Sequence, residues 1–331
     1  MKRLFLILLI FFLLMNICAC SQNSMSLPTA TPILTEETTS SPTGEPTATP
    51  APAIIGTPMD FSDASFTMNE TGLFYCTKDQ NGIFLLEQGK QWAAQYCEAL
   101  SPTSIVSTKD GVFFTGTTGL NSGLFKAEQG NATLLTQGDI NWFDFEPLKG
   151  RLLVCVSNNE LYISNSPTDE PTLLYTGTLS FAGLCGNMLM LVDGGKLLYL
   201  DLSIDKPSAK TLVENGVVDV FINGENIYYS TETDANIYTI KIGESAKVFA
   251  PLPTTQYTII YNNLYTLSKT EQGIWLNKNA GGYLFLKDAT ECSLPYFDNG
   301  NLYVLKMTND YFGLVSIDKN GTETRLSQVE G

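Results

Sequence analysis

The sequence contains no histidine. That absence excludes the Ser-His-Asp triad, the Cys-His pair, the HExxH zinc site and His-ligated haem. Positive charge is scarce: 19 Lys and Arg stand against 34 Asp and Glu, a net charge of −15. So acidic a chain repels polyphosphate, which excludes nucleic acid as a partner. Charged residues make up only 16% of the 331 residues and hydrophobic ones 44%, leaving ample material for a core. Seven thinly spread cysteines do not make a disulfide-stapled mini-domain. No CxxC metal pair and no Gly-rich phosphate loop occurs, so nothing calls for a metal or a cofactor. Leu4–Met15 is an unbroken apolar run, too short to cross a bilayer core of about 30 Å comfortably.

With Lys2 and Arg3 before it, that run suits the h-region of a signal peptide. It leads into Ile17-Cys18-Ala19-Cys20 and Ser21. This segment resembles a bacterial lipobox, with an aliphatic residue at −3, a small one at −1 and then the acceptor cysteine. The resemblance implies cleavage before Cys20 and a thioether lipid on it, hence a membrane-anchored extracytoplasmic protein. Cys18 is the poorer acceptor, since it would place bulky Ile17 at the cleavage point. Secretion without a lipid and an uncleaved anchor helix are the competing readings. Cleavage removes two basic residues and no acid, so the mature charge is 17 − 34 = −17.

Residues 20–57 form a lipidated Ser/Thr/Pro-rich tether after the signal peptide at 1–19. The pentapeptide PTATP occurs at Pro28–Pro32 and again at Pro46–Pro50. Proline fixes φ and removes donors, and little apolar surface is available to bury, so a disordered, largely extended segment is expected. Its reach is on the order of 100 Å as polyproline II, or about 35 Å as a coil.

The remaining residues, 58–331, repeat. A turn followed by an apolar β run recurs in TGLFYC, DGVFFT, KGRLLVC, CGNMLML, NGENIYYS, YNNLYTL and NGNLYVL. The turn residues are Gly72, Gly111, Gly150, Gly186, Gly224, Asn262 and Gly300, spaced 39, 39, 36, 38, 38 and 38 apart. A second, third and preceding run accompany each, giving four strands in about 38 residues, the size of a propeller blade. The spacing predicts an all-β fold, a seven-bladed β-propeller of four-stranded antiparallel blades, rather than a β-sandwich pair or an irregular solenoid. Lys90–Leu100 suits a helix by composition but falls where blade 1 needs its outer strand. Closure is expected mainly from face packing of blade 1 on blade 7, to which a short pairing from Ala53–Gly56 can add.

Asn226–Ile242 (NIYYSTETDANIYTIKI) resembles the YWTD repeat of low-density-lipoprotein-receptor propellers, and Asn301–Ile317 is a looser echo. Tyr229-Ser230 stands where that motif has Trp-Thr. Residues 60–331 as a whole resemble the receptor-like propellers of uncharacterised Gram-positive lipoproteins. The resemblance implies an architecture and transfers no ligand.

In such a fold the loops between second and third strands open on one face. Here they carry Asp79, Glu160, Asp193, Glu232, Asp234, Glu271 and Asp310, whereas blade 2 has the uncharged Gly116–Gly123. A ring of carboxylates suits a divalent cation or a cationic partner, and equally suits plain solvated turns. Among aromatics on the strands nearest the axis, Trp142 and Tyr296 are the candidates for a sugar-stacking platform at the channel mouth; packing between blades is the alternative. Asp144 and Glu146, two apart on one strand, have the spacing a glycosidase dyad could use. Asp318-Lys319-Asn320-Gly321 reads as a hairpin turn. Five cysteines remain besides the processing pair, so at least one is an unpaired thiol. The leading functional expectation is a non-catalytic binding or scaffolding module for an envelope or surface protein, a peptide or a glycan, with no catalytic residue assigned. A carbohydrate-active enzyme working through carboxylates on the same face is the alternative. On whether the chain is an enzyme, the balance of the sequence tilts against.

Overall fold

In the computed structural model, residues 57–77, 80–157, 159–279 and 282–327 are described. The signal peptide, Cys20, the tether through residue 56 and Asp79 lie outside them. The described residues form thirty strands and no helix. They make seven antiparallel sheets in chain order: blades 1 to 7 occupy 65–97, 100–137, 140–176, 179–213, 217–251, 257–287 and 291–325. Strand Ala94–Cys97 is the outer strand of blade 1, as the spacing predicts.

The middle of each second strand is buried because neighbouring blades cover both its faces. Gly72–Cys76 in blade 1 and Leu152–Val156 in blade 3 are buried along almost their whole length. Outer strands such as Lys210–Val213 face solvent. The repeating turn residues divide into two kinds. Gly150, Gly186, Gly224, Asn262 and Gly300 are left-handed, with φ between 59° and 81°, as hairpin turns require. Gly72 serves close approach instead: a Cβ there would lie 2.1 Å from the Leu86 carbonyl oxygen.

Seven apolar clusters fill the wedges between consecutive blades. Cys76, Phe114 and Phe125 belong to the cluster of blades 1 and 2, and Phe113, Phe143 and Val154 to that of blades 2 and 3. Leu189 and Leu191 serve blades 3 and 4, Val192 and Ile227 blades 4 and 5, Tyr228 and Ile259 blades 5 and 6, and Leu267 and Val304 blades 6 and 7. The seventh, with Leu73, Tyr75, Leu305 and Leu314, joins blade 7 to blade 1 and closes the ring by face packing.

Closure has a further element that the sequence reading placed differently. Thr57–Met59 pairs with 267–269 on the second strand of blade 6, end to end with Tyr257–Ile260. The two segments together make that blade's inner strand. The chain then crosses blade 7, where Ser62 bridges Ser293 and donates to the Cys292 carbonyl at 2.9 Å, before opening blade 1 at Ser65. Two bonds clasp this strap: Phe61 N donates to Gln256 Oε1 at 2.8 Å, and Gln256 N to Asp60 Oδ1 at 2.9 Å. Outside, Ala93 N donates to the Leu326 carbonyl at 2.5 Å, tying the last strand to blade 1.

Candidate functional site

The loops between second and third strands share a face with the linkers between blades. Backbone bonds link the two sets: Gly194 N donates to the Thr178 carbonyl at 3.1 Å and Glu232 N to the Gly216 carbonyl at 2.8 Å. The predicted carboxylates of this face fall into two groups. Glu160, Asp193 and Asp234 are half-buried, and each accepts a tyrosine hydroxyl. Tyr162 donates to Glu160 Oε2 and Tyr175 to Asp193 Oδ2, both at 2.6 Å. Asp193 Oδ1 also accepts from Thr178 N at 2.6 Å, so this one side chain ties blade 4 to the linker before it. Asp234 accepts from Tyr238 and, at 2.7 Å, from Asn236. Glu232, Glu271 and Asp310 are exposed on their turns.

These bonds set the local electrostatics. The hydroxyl of Tyr238 and the amide of Asn236 hold the Asp234 carboxyl below its usual range. Burial, then the bond to Asp193, pushes the Tyr175 hydroxyl up to about 12. Apart from Glu232 and Asp234 of blade 5 the acids stand on separate blades, and among the described residues no three Asp, Glu or Cys side chains are placed to hold a metal ion. The arrangement fastens loops to strands. A sequence signal for it exists in Glu160-Leu161-Tyr162, an acid and a tyrosine two apart on the same side of a strand.

The aromatic candidates lie in the packing between blades. Trp142 is half-buried against the cluster of blades 3 and 4. Tyr296 stacks on Phe66 of blade 1, ring centroids 5.9 Å apart, within the closing cluster.

Asp144 and Glu146 part company. Glu146 is fully buried in the turn after the inner strand of blade 3. Its carboxylate accepts from Leu148 N at 3.0 Å, Lys149 N at 2.9 Å and Arg151 Nε at 3.3 Å. Arg151 in turn donates to the Leu202 carbonyl of blade 4 at 2.6 Å. Every oxygen of Glu146 is thus engaged in holding a turn, and it is no partner for a dyad. Asp144 stays on the inner strand, half-buried, accepting from Phe145 N at 2.7 Å. Burial pushes its carboxyl up to about 6, against the lowering pull of that bond. On the inner strand of blade 5, Asp219 accepts from Ser230 Oγ at 3.0 Å and Tyr257 at 3.3 Å, a second carboxylate near the axis.

No family model matches the chain, and no curated protein matches it in sequence. Solved structures do match in shape. A puromycin-hydrolysing peptidase of Mycobacterium tuberculosis aligns at 13% identity and a TM-score of 0.57, over 85% of this chain and 57% of that one. The β-propeller domain of the trilobed protease from Pyrococcus furiosus, described as having an open velcro topology, aligns at 12% identity and a TM-score of 0.58, over 84% and 98%. A prolyl endopeptidase aligns at 11% and 0.58, over 80% and 49%. The chain therefore spans about half the length of the two complete peptidases. At such identities the likeness establishes the fold, a seven-bladed propeller, and the resemblance to receptor propellers likewise stays at that level. The tilt against an enzyme is nevertheless corrected: propellers of this shape occur within peptidases, so the fold does not speak against an enzyme.

Proposed function

We propose that this chain is a hydrolase-type propeller of the cell envelope, acting on a peptide or glycan chain that enters along the axis. A lipid on Cys20 holds it at the extracytoplasmic face of a Gram-positive membrane, and the tether lets it reach outward. The observation that carries the hydrolytic reading is Asp144. Without histidine, proton transfer near neutral pH falls to carboxyl groups, and a useful acid needs a pKa near working pH. Asp144, on an innermost strand, is the one carboxyl among the described residues that burial raises to about 6. The peptidase propellers of matching shape support the same reading.

The test is turnover. The full chain, purified, is assayed on a peptide library and on cell-wall glycan fragments. Hydrolysis of one of these is expected, reduced about 10²- to 10⁴-fold in Asp144→Asn with the circular dichroism spectrum unchanged. No turnover of either library, or an undiminished rate in the variant, overturns the proposal. For the anchor, a clickable palmitate analogue fed to cells should label the wild type and not Cys20→Ala; label that persists on the variant refutes lipidation there.

A further inference from the structure

A groove of about 740 Å³ opens where the outer strand of blade 1 and the linker after it meet the second and third of the hairpin turns of blade 2. Its volume is that of a small-ligand site. Blade 1 contributes Asn81 and Gln95, the linker Glu98, and blade 2 Thr117, Thr118 and Asn131. Ala99, Ala132 and the exposed Leu100 add apolar surface.

The chemistry of this lining narrows the ligand. Among the described lining residues there is no lysine or arginine, so a phosphate or carboxylate would find no counter-charge from them in an acidic protein. Those described residues carry no aromatic ring either, so a flat hydrophobic ligand finds no stacking platform on them. Three side-chain amides and two hydroxyls remain, groups that both donate and accept, two of them already bonded once within the protein (Gln95 Nε2 to the Asn81 carbonyl, Thr117 Oγ1 with Ser122 Oγ), together with one carboxylate that only accepts. Their complement is a ligand dense in neutral groups that also do both, which describes the hydroxyls of a sugar. The turns at Gly119 and Gly130 narrow nothing: a Cβ at either would meet no atom within 4 Å.

The groove is also built before any ligand arrives. Gly130 N donates to the Tyr96 carbonyl at 2.8 Å, fastening a turn of blade 2 to blade 1. Gln95 Nε2 donates to the Asn81 carbonyl at 2.8 Å, and Leu100 pairs with Thr117 across the linker. Walls fixed in this way lose little freedom on binding. The geometry points to this groove as a binding site for a neutral oligosaccharide, a site that stands whether or not the chain hydrolyses anything.

Isothermal titration of the full chain with chitotetraose, maltotetraose and cellotetraose tests it, with tetragalacturonate as the anionic comparison. Saturable heat is expected with at least one neutral tetrasaccharide and none with the anionic one. The double variant Glu98→Gln, Asn131→Ala, which alters only surface side chains, should bind that sugar at least tenfold more weakly with an unchanged melting curve. Absence of saturation with all three neutral sugars, equal binding of tetragalacturonate, or full affinity in the double variant would each overturn the assignment.

Discussion

Asp144 stores a pH-dependent cost. Its carboxyl ordinarily ionises near 3.8 and in the folded protein near 6. Between those values the folded state holds a proton that the unfolded chain has released, so stability falls as pH rises through this window. Above about 6 the folded state carries the full cost of a buried charge, at most about 3 kcal/mol for a shift of this size; below 3.8 it carries none. Asp144→Asn should therefore raise the stability of the protein at pH 8 and leave it unchanged at pH 3.5. Urea unfolding of variant and wild type at both pH values checks this, and a difference that does not vary with pH contradicts it. A residue that destabilises the fold while holding a proton at the axis fits a functional role better than a structural one. Glu146, two positions on, shows the opposite use of a carboxylate. Their spacing in the sequence is that of a dyad, and only the turn after Phe145 separates their fates. That turn closes onto Glu146 through backbone donors, which carry no side-chain signature to be read.

At the scale of elements, the strap through residues 57–62 is held by one aromatic anchor and one two-bond clasp. Phe61 is buried in the cluster between blades 6 and 7. Phe61→Ala should cost about 3–5 kcal/mol, as large-to-small changes in a core do. Gln256→Ala removes the acceptor for Phe61 N and should cost about 1–3 kcal/mol. Leu120→Ala, at a fully exposed hairpin tip, should change stability by under about 0.5 kcal/mol. Denaturant midpoints for the three variants should fall in that order. The blades themselves were legible from spacing because each is local: turn, strand and strand recur within about 38 residues. The strap was not legible as such. Its pairing joins residues 196 apart in the case of Asp60 and Gln256. A three-residue strand, TPM, with a proline at its centre has no periodicity to betray its partner. The tyrosine partners of Glu160 and Asp193 divide in the same way. One is two residues from its acid, whereas the other comes from the preceding blade.

For the whole molecule, the wedges between blades decide what is accessible. Cys76, Cys97, Cys155, Cys185 and Cys292 are all buried, and none is bridged to another. Burial pushes the thiols of Cys76 and Cys292 up to about 12, so they are neither exposed nor ionised at neutral pH. In the chain from residue 50 onward, Ellman's reagent should modify no thiol in the native protein and five in denaturant. A rapid native reaction at any of them would show that a wedge opens on the timescale of the assay. The odd count of thiols, legible in the sequence, becomes in the structure a statement about four of the seven sealed interfaces.

The pairing of Thr57–Met59 with blade 6 has a consequence in time. The first stretch of the ring to be synthesised finds its place beside one of the last, more than two hundred residues later. Until blade 6 exists, that stretch has only an unfinished edge to offer, and contacts so distant along the chain form slowly. Docking of the N-terminal segment therefore waits at least until blade 6 has been made. A nascent or translocating chain stalled before residue 267 would hold an open, aggregation-prone arc in need of a chaperone.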